Sequence, residues 1–211
     1  TNDKVLAMNR RGHTREDIFR SARLLKERGF ELGLQMMTGL YGSNDEDSIG
    51  TARDIISLSP DTARIYPTVV IENTELAELY RNGEYRPQTP EEAAVLCAKI
   101  LPMFERAGIK VIRLGLHSGG DVEGSFVAGA YHPALREMCE GHIYFDIINR
   151  ALSGKEKGKY IIYVAPREVS KASGQRRCNI EKLRELGYEC RIKENAALSA
   201  RDITLEKVNL L

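Results

Sequence analysis

Hydrophobic and polar positions in the first 150 residues alternate between helical and strand spacing. Thr14-Arg-Glu-Asp17 sets a capping side chain three residues ahead of an acid. Ile18, Ala22 and Leu25 then share one helix face, and Gly29 ends the helix. The apolar run Phe30 to Met37 reads as a buried strand. Ser43-Asn-Asp-Glu46 reads as a capping box for a helix carrying Ile49, Ala52 and Ile56, and a second strand is predicted over Thr62 to Ile71. Thr89-Pro-Glu-Glu92 opens a helix to about Arg106, with Pro90 in the first turn where its missing N–H costs little. Gly108 leads into a strand over Lys110 to Leu116. His132-Pro133 opens a last helical stretch to Leu152, with a break expected at Gly141.

Strands alternating with helices at this spacing predict parallel βα units. The chain opens on Thr1 and on a helix with no strand before it. The reading is therefore of part of a barrel, or of an open sheet, whose beginning lies upstream. Residues 153–159, Ser-Gly-Lys-Glu-Lys-Gly-Lys, are small and charged without periodicity and read as a linker. Beyond it the pattern gives a strand (Tyr160 to Val164), two short helices within Val169 to Leu186 broken at Gly174, and strands at Tyr188 to Lys193 and Ile203 to Val208. The expected organisation is an α/β domain over 1–152, the linker, and a small α+β domain over 160–211.

Charge changes this picture more than composition does. The whole chain carries +1, yet residues 155–211 hold 13 Lys and Arg against 8 Asp and Glu, a balance of +5 that leaves −4 for the rest. A basic tail domain points to nucleic acid or to a solvated surface. The 42% hydrophobic content holds no run long enough to cross a membrane. Cys97, Cys139, Cys178 and Cys190 are widely spaced, which fits free thiols in the cytoplasm rather than a disulfide framework.

Three stretches can carry chemistry. In TGLYGSNDED, residues 38–47, Gly39 and Gly42 bracket a turn into a helix N-terminus, which suits a ligand loop or a plain βα connection. Ligands of parallel βα folds sit at the C-terminal strand ends, where Tyr66, its neighbour Arg64, and His117 fall, while Gln35 is a polar residue inside an apolar strand. His117-Ser-Gly-Gly-Asp121 and Gly129-Ala-Tyr-His132 match no zinc spacing, and acid–base work or hydrogen bonding suits them better than metal. Asn9-Arg-Arg-Gly-His-Thr14 is a capped turn whose Arg10, Arg11 and His13 can together face a phosphate.

NRRGHT, TGLYGS, RIYPTVVIENTELAELYRNGEY, VIRLGLH and VAGAYHPALREM together resemble the radical S-adenosylmethionine (radical SAM) proteins, and within them the branch of the elongator catalytic subunit. The resemblance covers roughly residues 3–145. It implies the C-terminal half of a partial (β/α) barrel, with a [4Fe–4S] cluster held by a CxxxCxxC motif in the other half. It further implies S-adenosylmethionine bound at that cluster and cleaved to a 5′-deoxyadenosyl radical, with a tRNA wobble uridine as the branch's substrate. By the same likeness the turn at Gly39 and Gly42 lies against the nucleoside cofactor, and on that reading Gln35, Gly39, Tyr66, Arg113 and His117 are the candidates for the pocket. Arg113 suits a carboxylate or phosphate if strand alternation points it inward.

This chain departs from that pattern. It holds no CxxxCxxC, Tyr41 stands where the turn's proline is expected, and too few residues follow for an acetyltransferase domain. VSKASGQRRCNIEKL, residues 169–183, instead resembles the helix–loop–helix of a KH domain, with Gly174-Gln-Arg-Arg177 as the backbone-clamping loop and its second glycine replaced. Lys171, Gly174, Arg176 and Arg177 are thereby the expected RNA contacts. Two other readings stay open: an RNA-binding scaffold without redox chemistry, and radical chemistry on a small molecule such as a porphyrin.

Overall fold

The computed structural model describes residues 1–117 and 124–208, which divide into two compact units, Thr1–Leu135 and Arg136–Leu211.

In the first unit, helices α1 (Asp3–Met8) and α2 (Arg15–Glu27) lead into strand β1 (Gly33–Thr38). The predicted box is present on α2, where the Thr14 side chain accepts from Asp17 N and Asp17 accepts from Thr14 N. β1 starts later than predicted, because Gly29 turns the chain with φ 76° and Phe30 N closes the helix end on Leu25 O at 3.1 Å. Phe30 is left outside, 63% exposed. α3 (Asp45–Ser57) begins one residue past the predicted box. Asn44 Oδ1 accepts from Asp47 N and Asp47 Oδ2 accepts from Asn44 N, both at 3.0 Å, while the Ser43 hydroxyl turns back to Leu40 O at 2.7 Å.

The strand predicted over Thr62 to Ile71 is two strands, β2 (Thr62–Pro67) and β3 (Val69–Ile71). Buried Thr68 makes the break, donating both its N–H and its hydroxyl to Thr38 O, at 2.9 and 2.7 Å. Helices α4 (Glu75–Arg81) and α5 (Pro90–Arg106) follow, the latter with its Thr89–Glu92 box. Strands β4 (Lys110–Leu114) and β5 (Phe126–Gly129) come next. β1, β2 and β4 form a parallel sheet in the order β1-β2-β4, and β3 pairs antiparallel with β5. α3 packs on β1, and α5 on β2 and β4, with Ala52, Ile55, Leu96, Ile100 and Phe104 buried beside Met36, Ala63, Ile65, Val111 and Leu114. This is the α/β, parallel-sheet class the spacing predicts.

In the second unit, α6 (Leu135–Leu152) runs unbroken through Gly141. That glycine permits close approach, since a Cβ on it would stand 3.4 Å from Gly174 Cα. β6 (Gly158–Val164), α7 (Val169–Ser173), a 3₁₀ turn (Gln175–Arg177), α8 (Cys178–Glu185), β7 (Tyr188–Glu194) and β8 (Ile203–Lys207) complete the unit. Its sheet is mixed, ordered β7-β6-β8, with β6 parallel to β7 and antiparallel to β8. Tyr144, Ile148 and Leu152 of α6 belong to this core, with Tyr160, Ile162, Val164, Ile180, Leu183 and Tyr188. The division between the units thus falls before α6, where the sequence reading places it after. The stretch expected to link two domains is held inside the second unit: Tyr188 Oη donates to Leu152 O at 3.0 Å and Tyr160 Oη to Glu156 O at 2.7 Å.

Candidate functional site

One face of the first unit's sheet is packed by helices, and the other is polar. In parallel strands, residues paired in register project to the same side. Gln35 pairs with Arg64 and Met37 with Tyr66 across β1 and β2, and Arg64 pairs with Arg113 across β2 and β4. Gln35, Arg64 and Arg113 therefore lie in one row, with Met37 and Tyr66 beside it. A bulge makes that row. Ala63 pairs with Val111 and Arg64 with Arg113, so Ile112 has no partner and is 41% exposed. This settles the orientation of Arg113, which simple alternation leaves open. Past the end of β4, His117 lies with its ring nitrogens against Arg113 Nη2. The bulge has no signature in KVIRL, and Arg64, visible from sequence only as a neighbour of Tyr66, is a full member of the row.

A cleft of about 350 Å³ runs along β1, lined by Gln35, Met37, Arg11 and His13 among others. The basic loop is therefore divided. Arg11 and His13 reach this cleft, and Arg11 Nη2 contacts Met37 Sδ, whereas Arg10 turns away to an exposed ion pair with Glu75 at 2.8 Å.

The TGLYGS turn borders a second cleft of about 360 Å³, with Tyr85, Arg86 and Gln88 opposite. Gly39 (φ 70°) and Gly42 (φ 74°) are in the left-handed region that glycine tolerates. Both are also closely covered. A Cβ on Gly39 would stand 2.7 Å from Gln88 Oε1, and one on Gly42 would collide with Met8 Cε. Tyr85 Oη donates to Gly39 O at 2.6 Å, and burial pushes the Tyr85 phenol up to about 12. The α3 N-terminus is satisfied by its own Asn44–Asp47 box, so it offers less to an anion than the sequence suggests. Gln88 Oε1, however, is buried beside Gly39 with no hydrogen-bond partner among the described residues. A ligand donor at this turn would satisfy it, which is the feature of the turn that fits a nucleoside-type ligand.

Asp121 lies outside the described residues, so the His117–Asp121 cluster is seen only at His117. His132 has a local task, its Nδ1 accepting from Ala134 N at 3.0 Å. Among the described residues no group of three His, Cys, Asp or Glu could hold a metal ion. Cys97, Cys139 and Cys190 are buried, and burial pushes the thiols of Cys97 and Cys190 up to about 12 and about 11, away from the thiolate that iron ligation requires. These cysteines do not fit a [4Fe–4S] cluster.

In the second unit, Gly174 takes φ 74° and ψ 161°, and a Cβ there would stand 2.7 Å from Cys178 Sγ and 2.8 Å from Asn179 Cγ. Asn179, 1% exposed, donates to Gly141 O at 2.8 Å and Ala172 O at 3.1 Å, locking the two helices around this glycine. Gln175, Arg176 and Arg177 stand out into solvent, with Arg176 (φ 51°) and Arg177 (φ 65°) both left-handed. Lys171 is drawn to Glu168 at 2.7 Å. Behind it lies a buried polar network that the sequence does not announce: Tyr144 Oη donates to Glu168 Oε2 at 2.7 Å, and Arg201 pairs with Glu140 at 2.5 Å. Burial opposes the charge on Glu168, but the Lys171 and Tyr144 hydrogen bonds outweigh it and hold the carboxyl below its usual range.

Residues 60–144 match the Radical_SAM C-terminal domain. The chain is 36% identical over 110 residues to a tRNA uridine(34) acetyltransferase of Methanocaldococcus jannaschii, a match covering 49% of this chain and 20% of that protein. It is 28% identical over 141 residues to the protein of the same name from Dehalococcoides mccartyi, covering 64% of this chain and 29% of that one. To Elongator complex protein 3 of Homo sapiens it is 33% identical over 102 residues, covering 44% and 18%. The matches thus span about a fifth to under a third of these relatives' lengths. The resemblance to the C-terminal part of the elongator-like radical SAM branch stands.

Proposed function

We propose that this chain works as the C-terminal portion of a radical SAM iron–sulfur enzyme that modifies tRNA in the cytoplasm. Its first unit would be the C-terminal half of a partial (β/α) barrel and its second a KH-like RNA-binding domain. The observation that carries the reading is the polar sheet face, with Gln35, Arg64, Tyr66 and Arg113 side by side, in a segment similar to proteins named for tRNA uridine acetylation. In the complete enzyme a [4Fe–4S] cluster and S-adenosylmethionine would supply the radical chemistry, and none of the described residues would hold that cluster. The cluster's ligands do not come from this chain, so the N-terminal half of the enzyme would bring them. What these residues would do is bind and orient. Gln35, Tyr66, Arg113 and His117 would present hydrogen-bonding groups on the polar face, and the Gly39–Gly42 turn would set backbone and Gln88 Oε1 against a nucleoside. Lys171, Arg176 and Arg177 would meet RNA phosphates beside Gly174. No helix among the described residues is long and apolar enough to cross a membrane.

The test is tRNA binding by fluorescence anisotropy across a salt series. Affinity should fall steeply with salt, and Arg176→Ala with Arg177→Ala should weaken it and flatten the salt slope by about 0.7 for each phosphate no longer neutralised, as for single strands. Binding indifferent to salt and to both changes would end the role given to the second unit. Loss of binding together with full tRNA modification by the complete enzyme would move RNA recognition elsewhere. The scaffold reading without redox chemistry rests on the lack of a CxxxCxxC in this chain, and fails if the complete enzyme consumes S-adenosylmethionine.

A further inference from the structure

The row on the polar face is electrostatically one-sided. Arg64 and Arg113 are register neighbours on adjacent parallel strands, about 4.8 Å apart in the pairing direction. The strands that present them, GLQMMT, TARIYP and KVIRL, contain no carboxylate. Among the described residues Arg113 bonds to the imidazole of His117, another basic group, and the Arg64 side chain has no ion pair or hydrogen bond. Arg11 adds a third guanidinium to the same side, against the Met37 thioether. Like charges directly opposite one another weaken a sheet. The fold nevertheless creates this pairing, since without the bulge Arg64 would face Ile112.

We propose that Arg64 and Arg113 form a two-arginine site on the polar face of the first unit that takes a phosphate group. Two fixed positive charges call for a doubly charged anion or a phosphate shared between two forks. A carboxylate or a phosphodiester, each singly charged, would compensate one of them, and a terminal phosphate would compensate both. The proposal deepens the function argued above and rests on it only for where the phosphate comes from, either an RNA phosphodiester or the phosphate of a small molecule.

Thermal unfolding of the whole chain at low salt tests it, with pyrophosphate as the probe and sodium chloride at matched ionic strength as the control. Pyrophosphate should raise the wild-type Tm by several degrees in a saturable way, and chloride should not. Arg64→Gln and Arg113→Gln should each lose that shift. Without anion, each should unfold at or above the wild-type temperature, because the repulsion is relieved. Arg64→Lys, which keeps the charge and loses the fork, should retain a reduced shift. Equal shifts from chloride, or variants that keep the pyrophosphate shift, would overturn the site. Competition then separates the sources. Pyrophosphate that displaces a labelled RNA oligonucleotide from wild type but not from Arg64→Gln assigns the pair to the RNA backbone, and independent binding assigns it to a phosphorylated small molecule. RNA binding with no pyrophosphate effect would sink this site and leave the RNA reading intact. A pyrophosphate effect with no RNA binding would do the reverse.

Discussion

At the scale of single residues, the Gly174–Arg177 turn separates structural from functional demand. Gly174 has a backbone conformation open essentially to glycine and is enclosed by Cys178 and Asn179. Gly174→Ala is expected to destabilise by about 1–3 kcal/mol from backbone strain alone, with the clash adding to it, measurable by urea unfolding. Arg176 and Arg177 are the opposite case. Each occupies the left-handed region at a cost of about 1 kcal/mol, and each side chain is exposed. Arg176→Gly and Arg177→Gly should therefore each stabilise the chain by up to about 1 kcal/mol while weakening RNA binding. Arg→Ala at the same sites should weaken binding without that gain. If glycine brings no stabilisation, the strain is not stored there. If it stabilises with no loss of binding, the arginines serve something other than RNA.

At the scale of elements, the first unit is tied by a latch between helices. Arg15 of α2 donates from Nε and Nη2 to the two oxygens of Asp54 on α3, at 2.7 and 2.6 Å. Those hydrogen bonds hold the Asp54 carboxyl below its usual range, against the opposing effect of burial. A carboxyl depressed in the folded state contributes stability above its unfolded pKa of about 4 and loses it as pH falls through the folded value. Arg15→Ala should lower stability at pH 7, and its difference from wild type should shrink as pH falls below about 4, so the two acid-unfolding curves should converge. Curves that stay parallel would deny the latch its linkage. Nothing in the sequence pairs Arg15 with Asp54, 39 residues along the chain, while the two helices the latch joins are legible there. Capping signals in Thr14–Asp17 and Thr89–Glu92 act over three residues and fix a helix start locally. The Ser43–Glu46 box was misplaced by one because Asn44 and Asp47 offer the same chemistry, and only the Leu40 carbonyl taking the Ser43 hydroxyl decides between them. The split at Thr68 and the bulge opposite Arg64 depend on partner strands, so period-two patterning carries no trace of them. The residues of the candidate site were thus legible as types and strand ends, and their grouping into a row was not.

At the scale of the whole molecule, a polar stretch is weaker evidence for a boundary than the packing of the helix before it. Residues 153–159 are charged and small, which suggests a linker, yet the carbonyls of Leu152 and Lys155 are taken by Tyr188 and that of Glu156 by Tyr160. Lys157 Nζ sits 4.0 Å from the centre of the Tyr188 ring. Upstream, Tyr144, Ile148 and Leu152 are fully buried in the second unit's core. Burying such side chains is worth about 1.5–3 kcal/mol each. Their combined loss rivals the whole stability of a domain this small, of order 5 kcal/mol. A fragment of residues 136–211 should therefore fold alone, with a cooperative thermal transition and dispersed amide resonances. A fragment starting at Ser153, the boundary that charge patterning suggests, should lack both. Tyr144→Phe in the longer fragment removes the hydroxyl that donates to Glu168 and accepts from Arg201 N, and should cost about 1–3 kcal/mol while keeping the transition cooperative. A shorter fragment that folded as well as the longer one would show that α6 belongs to the second unit by proximity and not by energy. RNA-binding tests of the isolated domain would then have to begin at Ser153.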